Sequence, residues 1–320
     1  MKLLVTGGAG FMGSNFIHHI LKKYPNYQVV NLDKLTYAGN LDNLRDIEKN
    51  PNYTFIKGDI TNEALIDELF QDHKFDTVIN YAAETHVDRS ITGPRDFVIT
   101  DVVGTCTLLQ ATKKHNVKKY IQISTDEVYG SINNGSFSEI SPFMPNSPYS
   151  ASKAGADHLC RAYFVTYGLP VIVTHSCNVF GPYQYPEKVI PLFITNLMRG
   201  LKVPLYGDGK NIREWIYVED HCTAIDEIMH KGKIGEVYNI GTGNEIQNID
   251  LTKMVFEKMG ASEDQVEYVK DRLGHDRRYS VDFSKLKNEL DWTPKFSFSE
   301  ALSETINWYK TNESWWKKLI

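Results

Sequence analysis

A hydroxyl and two adjacent carboxyl groups stand where an apolar run ends, in the segment ISTDEVYG at 123–130. Thr125, Asp126 and Glu127 follow the run KYIQIS, which is typical of a buried strand. Neighbouring carboxyls in a closed site tend to have pKa values that are pushed apart, so one stays protonated while the other acts as a base. The alternative is a polar strand end at which Thr125 and Asp126 only cap the next turn.

A phenol and an ammonium form a second candidate pair, in the segment SPYSASKAG. Tyr149 and Lys153 are four residues apart, so they share one face if this segment is a helix. The pKa of a free phenol is about 10, and a nearby ammonium lowers it. With a nicotinamide ring adding positive charge, Tyr149 could take a proton from a substrate hydroxyl during hydride transfer. Taken alone, the spacing also fits a half-buried tyrosine beside a solvated lysine.

The segment VTGGAGFMG places three glycines, Gly7, Gly10 and Gly13, between a first strand and a helix. Glycines there permit a tight turn and close approach of the backbone to a pyrophosphate at the helix N-terminus. Asp33 ends the second strand, where a carboxylate binds ribose hydroxyls and repels a 2′-phosphate. The pattern therefore favours NAD over NADP; the alternative is a structural turn followed by a surface Asp.

Short apolar runs that alternate with helix-like segments must position these groups. The runs lack strict alternation of polar and apolar residues, which indicates strands buried on both faces. In the segment 14–23 the apolar residues recur at helical spacing. The sequence therefore predicts an α/β fold of Rossmann type, a doubly wound parallel sheet with helices on both faces. The predicted strands are 2–6, 28–32, 53–57, 76–81, 119–124 and 170–175.

The composition of the sequence changes after about residue 180, where prolines and turn residues become frequent. We expect an NAD-binding domain over 1–180 and a smaller mixed α/β lobe over 181–320. The segment of about 215–243 should return to the first domain, since EVYNIGTG at 236–243 is typical of a further strand. Helices are expected near 220–230, 250–259 and 299–310.

Composition excludes several classes of protein. The chain has 320 residues, 42% hydrophobic and 23% charged, which are ordinary globular values. A net charge of −5 argues against nucleic-acid binding. No apolar run is long enough for a membrane span, and the N-terminus lacks the features of a signal peptide. The four cysteines form no C-x-x-C pair, so we expect free thiols in the cytoplasm and no metal site.

The glycine loop together with Tyr149 and Lys153 resembles the extended short-chain dehydrogenase/reductase superfamily. Longer motifs narrow the resemblance, over nearly the whole chain, to the dTDP-glucose 4,6-dehydratases. This resemblance implies an NAD-dependent lyase of nucleotide-sugar metabolism and deoxysugar biosynthesis. Such an enzyme oxidises C-4 of the sugar, eliminates water across C-5 and C-6, and returns hydride to C-6. The motifs are STDEVYG, DKLTYAGNL, AAETHVDRSITGP, GPYQYPEKVIP, GDGKNIREWIYVEDH and GHDRRYSVD.

The resemblance also implies roles for individual residues. Asp126 would be the acid, Glu127 the base and Thr125 the hydroxyl that binds the sugar O-4, beside Tyr149 and Lys153. A homodimer would pair the helices at 100–115 and 149–167. The cofactor positions are Gly7, Gly10, Phe11, Met12, Gly13, Asp33, Lys34, Asp59, Ile60, Ala82, Ala83, Thr100, Tyr149 and Lys153. The substrate positions are Thr85, Thr125, Asn178, Lys188, Pro204, Tyr206, Arg213, Asn248, Arg272 and His275.

Three positions depart from the family pattern. Val179 stands where a second asparagine is usual, Asp101 where asparagine is common, and Leu273 where proline is usual. Among dehydratases, the sequence is compatible with a thymine or a uracil nucleotide and with glucose or an N-acetylated sugar, so a UDP-sugar 4,6-dehydratase is the main alternative. A sugar-nucleotide 4-epimerase would not need the two carboxyls. A protein that binds NAD without turnover commonly lacks the tyrosine or the lysine.

Overall fold

Twelve strands and twelve α-helices make up the fold in the computed structural model, which describes all 320 residues. The strands are β1 (Lys2–Thr6), β2 (Gln28–Asp33), β3 (Tyr53–Lys57), β4 (Thr77–Asn80), β5 (Lys119–Thr125), β6 (Val171–Ser176), β7 (Asn178–Phe180), β8 (Val203–Tyr206), β9 (Ile212–Tyr217), β10 (Val237–Ile240), β11 (Glu245–Gln247) and β12 (Val266–Val269). The helices are α1 (Phe11–Lys23), α2 (Glu63–His73), α3 (Val87–Thr92), α4 (Pro94–Phe97), α5 (Gly104–Lys114), α6 (Pro148–Tyr167), α7 (Val189–Met198), α8 (Val218–Lys231), α9 (Asn248–Met259), α10 (Ser284–Leu290), α11 (Phe298–Thr311) and α12 (Glu313–Trp316).

Seven parallel strands form the central sheet, in the order β3-β2-β1-β4-β5-β6-β10. The first six strands in the chain lie where the sequence predicts them. β10 joins the edge from the later half of the chain and pairs with β6. The predicted α/β class with a doubly wound parallel sheet is confirmed.

Helices cover both faces of the sheet, which is why its strands read as continuous apolar runs. Alternate residues of β1 point to opposite faces: Leu3 and Val5 belong to one apolar cluster and Leu4 to the other. The first cluster includes residues of α1 and α8, and the second includes residues of α2, α5 and α6. The sheet is thus held between two helical layers, and its strand ends are fixed in place.

The strand order reverses at β1, because β2 and β3 lie on one side of it and β4, β5 and β6 on the other. In open parallel sheets, ligands bind in the crevice at the carboxyl ends of the strands beside such a switch point. The glycine loop follows β1, and Thr125 is the last residue of β5. The topology therefore brings the two chemical motifs of the sequence to the same edge.

The second half of the chain contributes a smaller mixed lobe, as expected. β9 pairs antiparallel with β11 and parallel with β7, and a separate parallel pair joins β8 to β12. β7 lies at 178–180, at the end of the range expected for the first domain, but it pairs within the small lobe. No helix is both long and apolar enough to cross a bilayer.

Candidate active site

A cavity of about 660 Å³ lies between the carboxyl ends of the central strands and the small lobe. Every residue that the sequence predicts for the site lines this cavity, except Asp126. The walls combine residues that are far apart in the chain, from Gly7 in the glycine loop to Tyr279 near the C-terminal helices. The fold therefore brings nearly the whole predicted constellation into one space.

The glycine loop forms one end of the cavity and leaves no room for side chains. Gly7 has φ +66°, and a Cβ there would lie 2.7 Å from the backbone N of Ala82. A Cβ on Gly13 would lie 2.5 Å from the carbonyl O of Gly7. No side chain caps the N-terminus of α1, where Gly10 is the N-cap residue. This end presents bare backbone and a helix N-terminus, which together suit a pyrophosphate.

Asp33 fixes the neighbouring part of the wall at the end of β2. Its carboxylate accepts backbone N–H bonds from Ala9 at 2.9 Å and from Leu35 at 2.7 Å. Burial raises the pKa of Asp33, and these two bonds oppose the rise. Nearby, Lys34 pairs with Asp59 at 2.7 Å. A buried carboxylate held in this way suits ribose hydroxyls and disfavours an added phosphate, so the residues present fit NAD.

Tyr149 and Lys153 lie one turn apart on α6, whose N-terminus is closed by a capping box of Ser147 and Ser150. Both side chains are buried. The Lys153 ammonium donates to the carbonyl O of Ile123 at 2.7 Å, which ties α6 to β5. This bond places the two residues against the end of the strand that carries Thr125.

The Tyr149 phenol differs from the expectation of a lowered pKa. Burial raises its pKa well above the usual value, and the carboxylates of Glu127 and Asp101 add to the rise. The physical reason is that the phenol is desolvated between two acids, while the Lys153 ammonium is directed at a backbone carbonyl. A hydrogen bond from Thr125 acts in the opposite direction.

The carboxyl pair follows β5 in a short 3₁₀ turn, Asp126–Tyr129. Thr125 caps this turn, because its hydroxyl accepts the N–H of Glu127 at 3.3 Å. The capping interpretation of the motif therefore holds as well, alongside any chemistry. Glu127 lines the cavity, whereas Asp126 is only 2% exposed and sits behind the wall. The Asp126 Oδ1 lies 3.3 Å from the Thr125 hydroxyl, and its Oδ2 has no partner.

The two adjacent acids occupy different electrostatic surroundings. Burial raises the pKa of Asp126 well above its usual value, and the charges of Glu127 and Glu214 add to this. Glu214 is fully buried, and its carboxylate accepts three backbone N–H bonds. Burial also raises the pKa of Glu127, but three cations oppose the rise. These cations are Arg213, Lys188 and Arg272. The surroundings favour a neutral Asp126 beside an ionised Glu127.

Arg213 is the most firmly held cation of the substrate end. Its guanidinium donates to the carbonyl O of Ile212 at 2.7 Å and to that of Asp276 at 2.9 Å. It also lies over the Tyr279 ring, with 4.2 Å between the guanidinium carbon and the ring centroid. Its position on β9 therefore directs a fixed fork of N–H donors at the cavity.

Other polar residues of the small lobe cross the cavity mouth to the segment 84–89. Lys188 donates to the carbonyl O of Thr85 at 2.7 Å, and Arg272 pairs with Asp88 at 3.1 Å. Asn178 has a buried Oδ1 without a partner, which leaves an acceptor free on the wall. His275 pairs with Asp271 at 2.6 Å, and burial lowers the pKa of its imidazole.

The departures from the family pattern have distinct surroundings. Val179 lines the cavity, and its carbonyl accepts the side-chain amide of Gln184 at 3.0 Å. The other amide atom of Gln184, Oε1, is buried without a partner, so an amide group is present on this wall. Leu273 is exposed to solvent. Asp101 is buried beneath the segment that follows β4, and it contacts Glu84.

Sequence reasoning missed several polar residues that line the cavity, although many of them stand in or beside a motif noted above. Glu187 joins the two halves, since it accepts the Tyr37 hydroxyl at 2.8 Å and lies 3.4 Å from His86. Glu187 could have been predicted from the sequence, because it directly precedes Lys188, a predicted substrate position. The missed residues include Glu84, His86, Asp88, Gln184, Glu187 and Tyr279.

Comparison with known proteins extends these findings to the whole chain. The sequence profile of a family described as GDP-mannose 4,6 dehydratase matches residues 4–305. A dTDP-glucose 4,6-dehydratase of Actinoplanes sp. is 49% identical over 321 residues, covering 99% of this chain and 100% of the relative. The crystal structure of dTDP-glucose 4,6-dehydratase from Bacillus anthracis in complex with NAD is 50% identical, with a TM-score of 0.95 and 100% of both chains covered. The dTDP-glucose 4,6-dehydratase of Streptomyces venezuelae with NAD and TYD bound is 48% identical, with a TM-score of 0.98 and the same coverage.

Proposed function

This chain belongs to the GDP-mannose 4,6-dehydratase family, and we propose that it is an NAD-dependent dTDP-glucose 4,6-dehydratase. The reaction would convert dTDP-glucose to dTDP-4-keto-6-deoxyglucose and water. The observation that carries the proposal is a pair of adjacent acids in different electrostatic surroundings. Glu127 lines the same cavity as Tyr149 and Lys153, and Asp126 is buried behind the wall. Two relatives of about 50% identity over the full length, both named as dTDP-glucose 4,6-dehydratases, support the choice of substrate.

NAD is the cofactor that the residues of the first domain would hold. The bare glycine loop suits its pyrophosphate, and Asp33 suits its adenosine ribose. When bound, NAD supplies a hydride acceptor for C-4, a hydride donor for C-6 and a positive ring charge. Structures of the relatives from Bacillus anthracis and Streptomyces venezuelae contain NAD, which supports this assignment.

Tyr149 takes the proton of the sugar 4-hydroxyl while Thr125 holds the same oxygen. Burial keeps the phenol protonated at rest, so cationic charge has to oppose burial before the phenol can act as a base. Lys153 is the protein's own source of that charge, one helical turn away. Its bond to Ile123 keeps the ammonium in place beneath the site.

Glu127 and Asp126 carry out the elimination. A ketone at C-4 acidifies the hydrogen on C-5, and the ionised Glu127 on the cavity wall removes it. The C-6 hydroxyl leaves as water and needs a proton, which the neutral Asp126 supplies. The Thr125 hydroxyl lies 3.3 Å from Asp126 Oδ1 and lines the cavity, so it connects this buried proton to the substrate.

The small lobe would bind the nucleotide. Arg213 presents a fixed fork to the diphosphate, and Lys188 and Arg272 add positive charge at the mouth. Asn178 lines the same cavity, and its side-chain NH₂ would donate to a phosphate oxygen. Pro204, Tyr206, Asn248 and His275 would surround the nucleoside, since all four line the lobe end of the cavity.

A 4-epimerase is the second candidate function, because it would share the cofactor site and Tyr149. Epimerisation requires oxidation at C-4 but neither removal of the C-5 proton nor a proton for a departing hydroxyl. It therefore gives no role to a buried, protonated Asp126 held next to an ionised Glu127. The dehydratase accounts for both acids.

A panel of sugar nucleotides tests the proposal. The purified protein is incubated separately with dTDP-glucose, UDP-glucose, UDP-N-acetylglucosamine and GDP-mannose, and the products are weighed by mass spectrometry. Loss of one water from dTDP-glucose, faster than from the other three, is the expected result. An unchanged mass with an inverted C-4 would indicate an epimerase. Preferential dehydration of a uridine or guanosine nucleotide would reassign the substrate.

We further propose a homodimer that acts in the cytoplasm. Five apolar side chains on the turn before α5 and on α6 are solvent-exposed in the single chain, and a second copy could bury them. All four cysteines are free thiols, as a reducing compartment allows. Analytical ultracentrifugation would test the dimer, and a monomer at micromolar concentration would contradict it. The exposed residues are Val98, Ile99, Val103, Val165 and Tyr167.

A further inference from the structure

Asp101 is a buried acid that the proposed chemistry does not use. It lies in a π-helical turn, Val98–Val103, directly before α5, and is 1% exposed. Its Oδ2 lies 2.6 Å from the Ser152 hydroxyl, and its Oδ1 accepts the backbone N–H of Glu84 at 3.0 Å. Ser152 stands between Tyr149 and Lys153 on α6, and Glu84 lies between the cofactor and sugar positions of the segment that follows β4. Asp101 therefore joins two walls of the active site.

The Ser152 hydroxyl has one hydrogen and two acceptors within reach. One is Asp101 Oδ2 at 2.6 Å, and the other is the carbonyl O of Tyr149 at 2.8 Å. If Asp101 is ionised, the hydroxyl can donate its hydrogen to only one of these two acceptors. The Ser152 oxygen then faces the other acceptor with no hydrogen between the two oxygens. A proton on Asp101 Oδ2 completes the chain, because Asp101 then donates to Ser152 and Ser152 donates to Tyr149.

An asparagine at position 101 would complete the same chain. Its amide N–H would donate to the Ser152 hydroxyl, and its amide oxygen would accept the Glu84 N–H. The protonated aspartic acid and asparagine therefore make equivalent bonds, but only the aspartic acid can lose them by ionising.

We propose that Asp101 is a positioning residue whose protonation is coupled to the Tyr149 base. As a neutral acid it ties α6 to the segment at Glu84 through a complete chain of hydrogen bonds. As a carboxylate it breaks one of those bonds and adds a negative charge near the phenol. This inference rests on the proposed function, because it assigns Tyr149 as the base for C-4 oxidation.

The charges around Asp101 set the pH at which this coupling acts. Burial raises the pKa of Asp101 to about 6. The Lys153 ammonium and the hydrogen bonds from the Ser152 hydroxyl and the Glu84 N–H oppose the rise, and the Glu84 carboxylate adds to it. The ionised form in turn raises the pKa of Tyr149. The preceding helix, α4, carries the charged residues Arg95 and Asp96, and both are exposed at the surface.

The pH dependence of turnover in Asp101→Asn tests the coupling. Well below pH 6 Asp101 is neutral, and the wild type should match the variant. Between about pH 6 and the pKa of Tyr149 in the complex, the wild type carries an extra negative charge that raises this pKa. The kcat/KM of Asp101→Asn should then exceed that of the wild type by about three- to tenfold near neutral pH. This ratio corresponds to a lowering of the Tyr149 pKa by about half to one unit. The two should converge again at high pH.

The variant Asp101→Ala distinguishes the effect of the two hydrogen bonds of Asp101 from the effect of its negative charge. It removes the charge but also both hydrogen bonds, so it should raise KM for the sugar nucleotide at every pH and show no gain at neutral pH. Recovery of activity in Asp101→Asn but not in Asp101→Ala is the expected pattern. Equal pH profiles for the wild type and Asp101→Asn would overturn the proposal.

Thermal unfolding gives a readout that does not depend on turnover. The pKa of Asp101 is raised in the folded protein, so its neutral form contributes stability below the pKa of the unfolded state, and this contribution is lost as pH rises through about 6. Asp101→Asn should therefore have nearly the same Tm as the wild type at about pH 4, close to the pKa of the unfolded state, and a Tm higher by about 2–5 °C near pH 7.5. A constant difference, or failure of Asp101→Asn to fold, would contradict the proposal. If the wild-type protein has no dehydratase activity, the proposed function is contradicted. The thermal test would still decide whether Asp101 changes its protonation near pH 6.

Discussion

The two ends of the cavity are built from different kinds of groups. The cofactor end is mostly backbone: Gly7 and Gly13 leave no space for a Cβ, and the buried carboxylate of Asp33 is held by two main-chain N–H groups. The substrate end consists of charged side chains that already have partners in the protein. Arg213 bonds to the carbonyl of Asp276, and Lys188 bonds to that of Thr85.

This difference teaches how each end acquires its specificity. Backbone conformation is set by residues next to one another in the chain, so the cofactor end is rigid and easily damaged by one added carbon. At the substrate end a ligand has to compete with partners that lie far away in sequence, such as Asp88 for Arg272. Changes there should weaken binding in graded steps and leave the fold intact.

The largest effect is expected where the two ends meet, at Tyr149. Tyr149→Phe removes the base for C-4 oxidation and should lower turnover by about 10²- to 10⁴-fold, with the cofactor retained. Tyr163→Phe is a matched control on the same helix, since Tyr163 does not line the cavity. Rates are compared by formation of the dehydrated product. A Tyr149→Phe enzyme within a few fold of the wild type would refute the assignment.

At the cofactor end of the cavity, two glycine variants should distinguish an effect on folding from an effect on NAD binding. Gly7→Ala combines a φ of +66° with a contact of 2.7 Å to the Ala82 backbone, so it should lower both Tm and the NAD content of the purified protein. In Gly10→Ala the nearest contact is 3.3 Å, to the Gly7 carbonyl, and φ is −78°. It should fold with a nearly normal Tm but lose NAD at least tenfold more readily. If both variants lost the same amount of Tm and of bound NAD, the assignment of Gly7 to the fold and of Gly10 to cofactor contact would be wrong.

At the side-chain end, Arg213→Lys should produce a graded loss. The lysine keeps the charge but cannot maintain the bonds to Ile212 and Asp276 together with a fork toward the diphosphate. KM for dTDP-glucose should rise about tenfold or more, which corresponds to loss of a charge-assisted hydrogen bond, with little change in Tm. A collapse in Tm with an unchanged KM would show that Arg213 serves the fold alone.

The smallest expected effect is a shift in pH dependence. Glu127 has a raised pKa, so the base is lost as pH falls through that value, and Arg272 is one of the cations that limit the rise. Arg272→Gln should therefore move the acidic limb of C-5 proton exchange upward by a few tenths of a pH unit. Exchange into deuterated water, followed by mass spectrometry, measures this limb. A downward shift would contradict the electrostatic account of Glu127.

The same contrast explains what the sequence could and could not predict. The glycine loop, Asp33 and the strands of the sheet follow from local patterns, because turn conformation and strand burial depend on neighbouring residues. The doubly wound fold was therefore predictable, and the structure confirms it.

Features formed by distant residues were not predictable in this way. Nothing in the sequence places Asp101 against Ser152 and Glu84, since the bonds arise only when the turn before α5, helix α6 and the end of β4 meet. The raised pKa of Asp126 also depends on the charge of Glu214, which comes from the small lobe. The lowered pKa expected for Tyr149 is not found in the protein alone, because burial and the charges of Glu127 and Asp101 raise it.

The central claim is that two adjacent acids divide the elimination between them, and Glu127→Gln tests it most directly. This variant keeps the size of the side chain but cannot accept the C-5 proton, whereas Asp126→Asn keeps the base and loses the acid. Each variant is mixed with dTDP-glucose in deuterated water, and reduced cofactor, product and deuterium at C-5 are followed. Both variants should oxidise C-4 and build up reduced-cofactor absorbance, with product formation lower by about 10²- to 10⁴-fold. Asp126→Asn should still exchange the C-5 hydrogen, and Glu127→Gln should not. Exchange at the wild-type rate in Glu127→Gln, or failure of both variants at the first oxidation, would contradict the account.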